Sequence, residues 1–306
     1  MWRLAFVLAS SLISLSESLN NRPIIGLLTE TTTRFPGHQF YLAASYVKYI
    51  ESAGARVVPI MLNWTSEELS TVLSSINGVL FPGGGQNLVT SRYFEIAKQV
   101  YQHSINATDS GQVWPVWGTC LGFEALNVIT ADENVLYEVD AENYSIPLQF
   151  TEDFEQSRMF KDCPSKIIQI LRNDNVTMNN HVKAVSPTNF SETVALNNFY
   201  KVLSVNKDRK GRSFVSTMEA YKYPIYGVQW HPEKNIFEWI ASEGINHSSN
   251  AVLVTQYMAN FFVSQARMND NHFSTSEEED KYLIYRYSPI FTGENVKSSF
   301  EQCYVW

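Results

Sequence analysis

Apolar residues fall in short blocks separated by amphipathic stretches. Residues 23–30 form an apolar run suited to a buried strand. Residues 38–54 put Phe40, Ala44, Val47 and Ile50 on one helical face and stop at Gly54, which predicts a helix. Residues 55–62 read as a second strand. Thr65 with Glu68 makes a capping box for a helix to about Ile76. The alternation then repeats: residues 78–85 are a strand ending in glycines, 93–104 a helix, 113–119 a strand and 121–129 a helix.

Strands alternating with helices of this length imply βαβ units. The expected fold class is therefore α/β, a doubly wound, mostly parallel sheet flanked by helices. The second half is less regular. A helix is expected over residues 164–171, an antiparallel hairpin over 200–220 turning around 208–211, a strand over 223–233 and a long helix over 250–268. Residues 274–280 are acidic and polar, but aromatic residues resume at 282–291, so the chain end is expected to pack on the body. Neither a repeat nor a linker interrupts the chain, and residues 21–306 read as a single domain.

Composition narrows the class of function. The 306 residues carry 23 Lys and Arg against 31 Asp and Glu, a net charge of −8, and offer no basic stripe to replace counterions on nucleic acid. Residues 1–20 open with one positive charge at Arg3, continue with an apolar block and end in small polar residues, the layout of a secretory signal peptide. That block is too short to span a membrane, and no later run reaches about 18 apolar residues, so no membrane partner is expected. Six N-x-Ser/Thr acceptors, at Asn63, Asn106, Asn143, Asn175, Asn189 and Asn246, fit a secretory-pathway glycoprotein. The three cysteines, Cys120, Cys163 and Cys303, leave at least one thiol unpaired; Cys163 and Cys303 either pair or stay free.

Candidate chemistry centres on Cys120. A strand leads into Gly118-Thr119-Cys120-Leu121-Gly122 and a helix follows, the layout of a nucleophile elbow, in which small flanking residues permit a strained turn. A thiol of ordinary pKa is ionised in only about one molecule in 3,000 at roughly pH 5, so help from a helix N-terminus is expected. The second motif, residues 227–233, presents His231 with Glu233 two residues on; period-two geometry lets the carboxylate orient the imidazole and completes a Cys–His–Glu set. The third, Phe81 to Gly85, lets backbone N–H groups approach a ligand, so that Gly84 N–H and Leu121 N–H form an oxyanion hole. The Cys and His spacing fits no zinc site and the chemistry calls for no cofactor.

These segments, with residues 23–30, 41–59, 215–224 and 288–294, resemble the class I glutamine amidotransferase-like superfamily and, within it, the gamma-glutamyl hydrolase family of peptidase C26 type, over nearly the whole length after the leader. The resemblance implies a flavodoxin-like fold and a cysteine peptidase of omega-peptidase type, cleaving gamma-glutamyl bonds of folylpoly-gamma-glutamates in lysosomes or after secretion, as a homodimer. It matches Cys120 to the nucleophile, His231 to the catalytic histidine with Glu233 beside it, and Tyr46, Glu124, His181 and Gln229 to polar residues lining the substrate site. Cys163, and Val182 after His181, depart from the family pattern. A glutaminase of amidotransferase type is the alternative, which the leader and the acceptors disfavour.

Overall fold

A computed structural model describes residues 19–294 and 298–306. The expected leader therefore lies outside the described residues up to residue 18; Asn20 is already fixed to the body, its backbone N–H donating to Arg267 O at 2.8 Å.

The first half builds β1 (Ile24–Leu28), β2 (Glu30–Thr31), β3 (Phe40–Ala43), α1 (Ala44–Ser52), β4 (Arg56–Ile60), α2 (Ser66–Ser75), β5 (Val79–Phe81), α3 (Arg92–Asp109), β6 (Val116–Thr119) and α4 (Leu121–Ala131). Thr65 and Glu68 close the expected capping box on α2. Then follow β7 (Leu136–Ile146), α5 (Ser165–Asn173), β8 (Thr177–Val185), α6 (Pro187–Glu192), α7 (Val194–Phe199), β9 (Tyr200–Lys207), β10 (Ser213–Ala220) and β11 (Ile225–Val228). The chain ends with α8 (Lys234–Phe237), α9 (Ser249–Ala266), α10 (Ser276–Tyr282), β12 (Ile290–Phe291) and β13 (Gln302–Val305).

The central sheet has the order β4-β1-β5-β6-β11-β10-β9. Its first five strands are parallel and the β9–β10 hairpin is antiparallel, which is the doubly wound α/β sheet expected. Its parallel strands are buried on both faces, as a sheet covered by helices requires, apart from the half-buried Arg56 that opens β4. One apolar layer, containing Val72, Phe94, Val100 and Leu126, lies under α2, α3 and α4. The other, containing Tyr49, Ile168, Met258 and Phe262, lies under α1, α5 and α9.

Two expectations are corrected. Residues 38–43 are not helical: β3 pairs with β2 on one side and with β13 on the other, and the helix starts only at Ala44. The ladder to the chain's far end claims the backbone groups that a helix would have used. The strand expected over 223–233 stops at Val228: Gln229 N–H still reaches Ser216 O on β10, but His231 N–H crosses to Met178 O on β8 and Pro232 has no N–H to give a ladder. One element had no counterpart in the sequence reading: β7 and β8 form a separate antiparallel pair with register shifts near Ala141. The chain end does pack on the body: Phe273, Leu283, Ile284 and Cys303 are buried.

Candidate active site

The sheet brings three loops to one edge. Adjacent parallel strands β5, β6 and β11 end at Phe81, Thr119 and Val228, and the residues that follow each are the glycine loop, Cys120 and the His231 segment. In an open α/β sheet this carboxyl edge is where ligands bind.

Cys120 is the N-cap of α4 and has φ 51° and ψ −106°, a conformation costly for any residue with a Cβ. The turn closes because its neighbours are glycines. A Cβ on Gly118 would lie 2.6 Å from Gly122 C and O, and one on Gly122 would lie 2.1 Å from Phe81 O, so neither position admits a side chain. The thiol is 5% exposed. Its polar neighbour is Asn180 O at 3.9 Å, and no hydrogen bond joins it to His231 among the described residues. Burial, then the charges of Glu124 and Glu233, hold the Cys120 thiol well above its ordinary pKa, while the Leu121 N–H and Lys234 pull it down. The helix N-terminus is present as expected; desolvation overrides it, so the resting thiol is protonated.

His231 Nδ1 stands 2.7 Å from Glu233 Oε1 and 3.2 Å from Tyr46 Oη. Glu233 caps α8 in an αR conformation, so a turn rather than strand alternation brings the two side chains together. A carboxylate accepts only, so Nδ1 carries its proton towards Glu233 and leaves Nε2 free to take another. Tyr46 Oη accepts the Gly83 N–H at 2.8 Å. A Cβ on Gly83 would lie 2.6 Å from His231 Cε1 and 3.1 Å from Cys120 Cβ, so the imidazole and the nucleophile candidate flank the same glycine.

Gln229 Nε2 donates to Glu124 Oε1 at 3.1 Å, both residues being buried; burial pushes Glu124 up to about 8. His181 stands apart from this pair. It lies on β8 with Nδ1 2.8 Å from Lys183 O and Nε2 3.1 Å from Asn179 Oδ1, and burial lowers its pKa to about 3. Gly84 packs against the buried Glu30 carboxylate, a residue with no sequence signal beyond its place at a strand end. The Asn180 carbonyl was equally invisible, since β8 itself was not foreseen. Cys120, Cys163 and Cys303 are all free thiols.

A family model described as peptidase C26 matches residues 23–233. A gamma-glutamyl hydrolase of Rattus norvegicus is 46% identical, the match covering 95% of this chain and 91% of that protein. Gamma-glutamyl hydrolase B of Dictyostelium discoideum is 41% identical over 96% of this chain and 86% of its own length. Among solved structures, the glutaminase domain of Trypanosoma brucei CTPS with bound acivicin superposes with a TM-score of 0.53 at 15% identity, covering 81% of this chain and 95% of that one, a likeness of fold.

Proposed function

The chain belongs to the peptidase C26 family, and on that premise we propose that it is a cysteine-dependent gamma-glutamyl hydrolase acting on folylpoly-gamma-glutamates, with Cys120 as nucleophile and His231 as base. The observation that carries the reading is the Glu233-held imidazole beside a buried cysteine on a strained elbow. Because the resting thiol is protonated, His231 Nε2 takes the Sγ proton as sulfur attacks the carbonyl carbon of the gamma-linked amide. Glu233 stabilises the imidazolium that results. The carbonyl oxygen, now negative, is received by Gly84 N–H and Leu121 N–H. His231 returns the proton to the leaving amine, the C–N bond breaks and a thioester remains. Water, deprotonated by the same histidine, then releases the gamma-glutamyl product and restores the thiol.

In acid, Glu124 is neutral, which removes one of the two negative charges that oppose a Cys120 thiolate. Tyr46, Glu124, His181 and Gln229 are assigned to substrate binding from the family resemblance. The leader supports entry to the secretory pathway, with the lysosome and the extracellular space as destinations. Asn63, Asn106, Asn143 and Asn175 are exposed and Asn189 and Asn246 half-buried, consistent with glycosylation at the exposed acceptors. No helix among the described residues is long and apolar enough to cross a membrane. The family resemblance supports a homodimer.

Incubation at acidic pH with folate pentaglutamate and, separately, with glutamine tests the reading. Shortened folates are expected; ammonia from free glutamine with intact folate would overturn it in favour of a glutaminase.

A further inference from the structure

Three consecutive glycines make the loop after β5 costly to order, yet an oxyanion donor works only when its N–H is held within a few tenths of an ångström of the developing charge. The structure holds this loop from both sides. Tyr46 Oη takes the Gly83 N–H at 2.8 Å. Glu30, 3% exposed, takes the Gly85 N–H on Oε2 at 3.1 Å and the Gln86 Nε2 on the same oxygen at 3.3 Å, while Tyr41 Oη donates to its Oε1 at 3.0 Å. Gln86 is tied back to the strand that carries Glu30, through Thr31 O at 3.1 Å and Thr31 Oγ1 at 2.7 Å. A Cβ on Gly84 would fall 1.8 Å from Glu30 Oε2, so the carboxyl group lies flat against that residue and blocks its retreat. The outer two of three successive N–H groups are thus bound to side chains, and among the described residues the Gly84 N–H has no partner.

We propose that Glu30 is a positioning residue for the hydrolase reaction: by clamping Gly85 and backing Gly84 it fixes the one loop N–H left to receive the oxyanion. The inference rests on the gamma-glutamyl hydrolase reading for its effect on rate, though the clamp itself does not. It explains why a carboxyl group is buried where burial pushes it up to about 7, a cost that packing alone does not require. Its role separates from substrate binding, since the residues assigned to the substrate lie on α1, α4, β8 and the segment after β11.

The test compares Glu30→Ala, Glu30→Gln and Gly84→Ala in the full chain. Loss of one oxyanion donor costs about 10²–10³ in kcat, so Glu30→Ala is expected to lower kcat by about 10-fold or more with KM within about 3-fold. Glu30→Gln keeps an acceptor oxygen for Gly85 N–H and is expected to stay within about 5-fold of the parent kcat. Gly84→Ala, whose methyl displaces the Glu30 carboxyl group, provides the same loss without touching Glu30. Hydrogen exchange of residues 83–86 is read in parallel and is expected to accelerate in Glu30→Ala and not in Glu30→Gln. A Glu30→Ala kcat within about 3-fold of the parent, or unchanged loop exchange, overturns the proposal. Should the parent protein leave gamma-glutamyl substrates intact, the hydrolase reading fails, and loop exchange still decides whether Glu30 is the clamp. If Glu30→Ala does not fold, Gly84→Ala decides by the same two readings.

Discussion

Glu233 Oε1 lies 2.7 Å from His231 Nδ1, and both side chains are almost wholly buried. A buried carboxylate at that distance sets the tautomer of the imidazole and stabilises its cation. Replacing it by a neutral amide keeps the shape and removes both effects. Glu233→Gln is expected to lower kcat by about 10²–10⁴-fold with little change in KM, by comparison with the triad carboxylate to amide change. Steady-state kinetics on a gamma-glutamyl substrate, with circular dichroism to show that the fold persists, checks this; activity within about 5-fold of the parent would remove Glu233 from the mechanism.

Cys120 holds φ 51°, which costs about 1–3 kcal/mol for a residue with a Cβ. Both Cys120→Ala and Cys120→Gly are expected to abolish turnover, since each removes the sulfur. Only the glycine variant relaxes the backbone, so it is expected to be the more stable of the two by about 1 kcal/mol, read as the difference in urea midpoint at equal m-value. Equal midpoints would mean that the elbow is not strained.

The elbow was legible in the sequence because its requirement is local: Gly118 and Gly122 flank Cys120 where the backbone of Gly122 crowds Gly118, and Phe81 in turn crowds Gly122. The capping box of α2 and the β9–β10 hairpin were legible for the same reason. What stayed hidden depends on distant chain. Residues 40–43 have helical spacing but extend because β13 pairs with them. The β7–β8 pair alternates poorly and carries irregular register, so its strands gave no clean period. Glu30 reads as the end of a strand; that it grips the glycine loop follows only from β1 and β5 lying side by side.

The same distant pairing makes the chain end a structural element. Trp306 O accepts from the N–H groups of Gln39 and Phe40, Trp306 N–H donates to Phe40 O, and Cys303 is fully buried beside β3. Tyr41, which holds Glu30, is on β3, and Tyr46 follows on α1. Deleting residues 302–306 removes several hydrogen bonds of about 1 kcal/mol each, so Tm is expected to drop by about 6 °C or more. Activity should fall with it, because the strand that supports the glycine loop loses its neighbour. A truncated protein with parent Tm and parent kcat would contradict the arrangement.

Buried carboxyl groups give stability a specific dependence on pH. Burial raises Glu124 to about 8 and Glu30 and Glu238 to about 7, against an ordinary value of 4.5, so between these limits the folded chain binds more protons than the unfolded chain. Their contribution is complete below about 4.5 and is lost as pH rises through 7 to 8. His181 acts in the opposite sense: burial lowers it to about 3, so the folded state resists its protonation and loses stability as pH falls below about 6.5. The window from pH 6.5 to 8 therefore isolates the carboxyl groups. Tm of the parent is expected to decline across it, and Glu124→Gln, which keeps an oxygen for Gln229 and cannot ionise, is expected to decline less. Parallel curves for the two proteins in that window would show that Glu124 is already ionised at neutral pH, and would return its charge to the surroundings of the Cys120 thiol there.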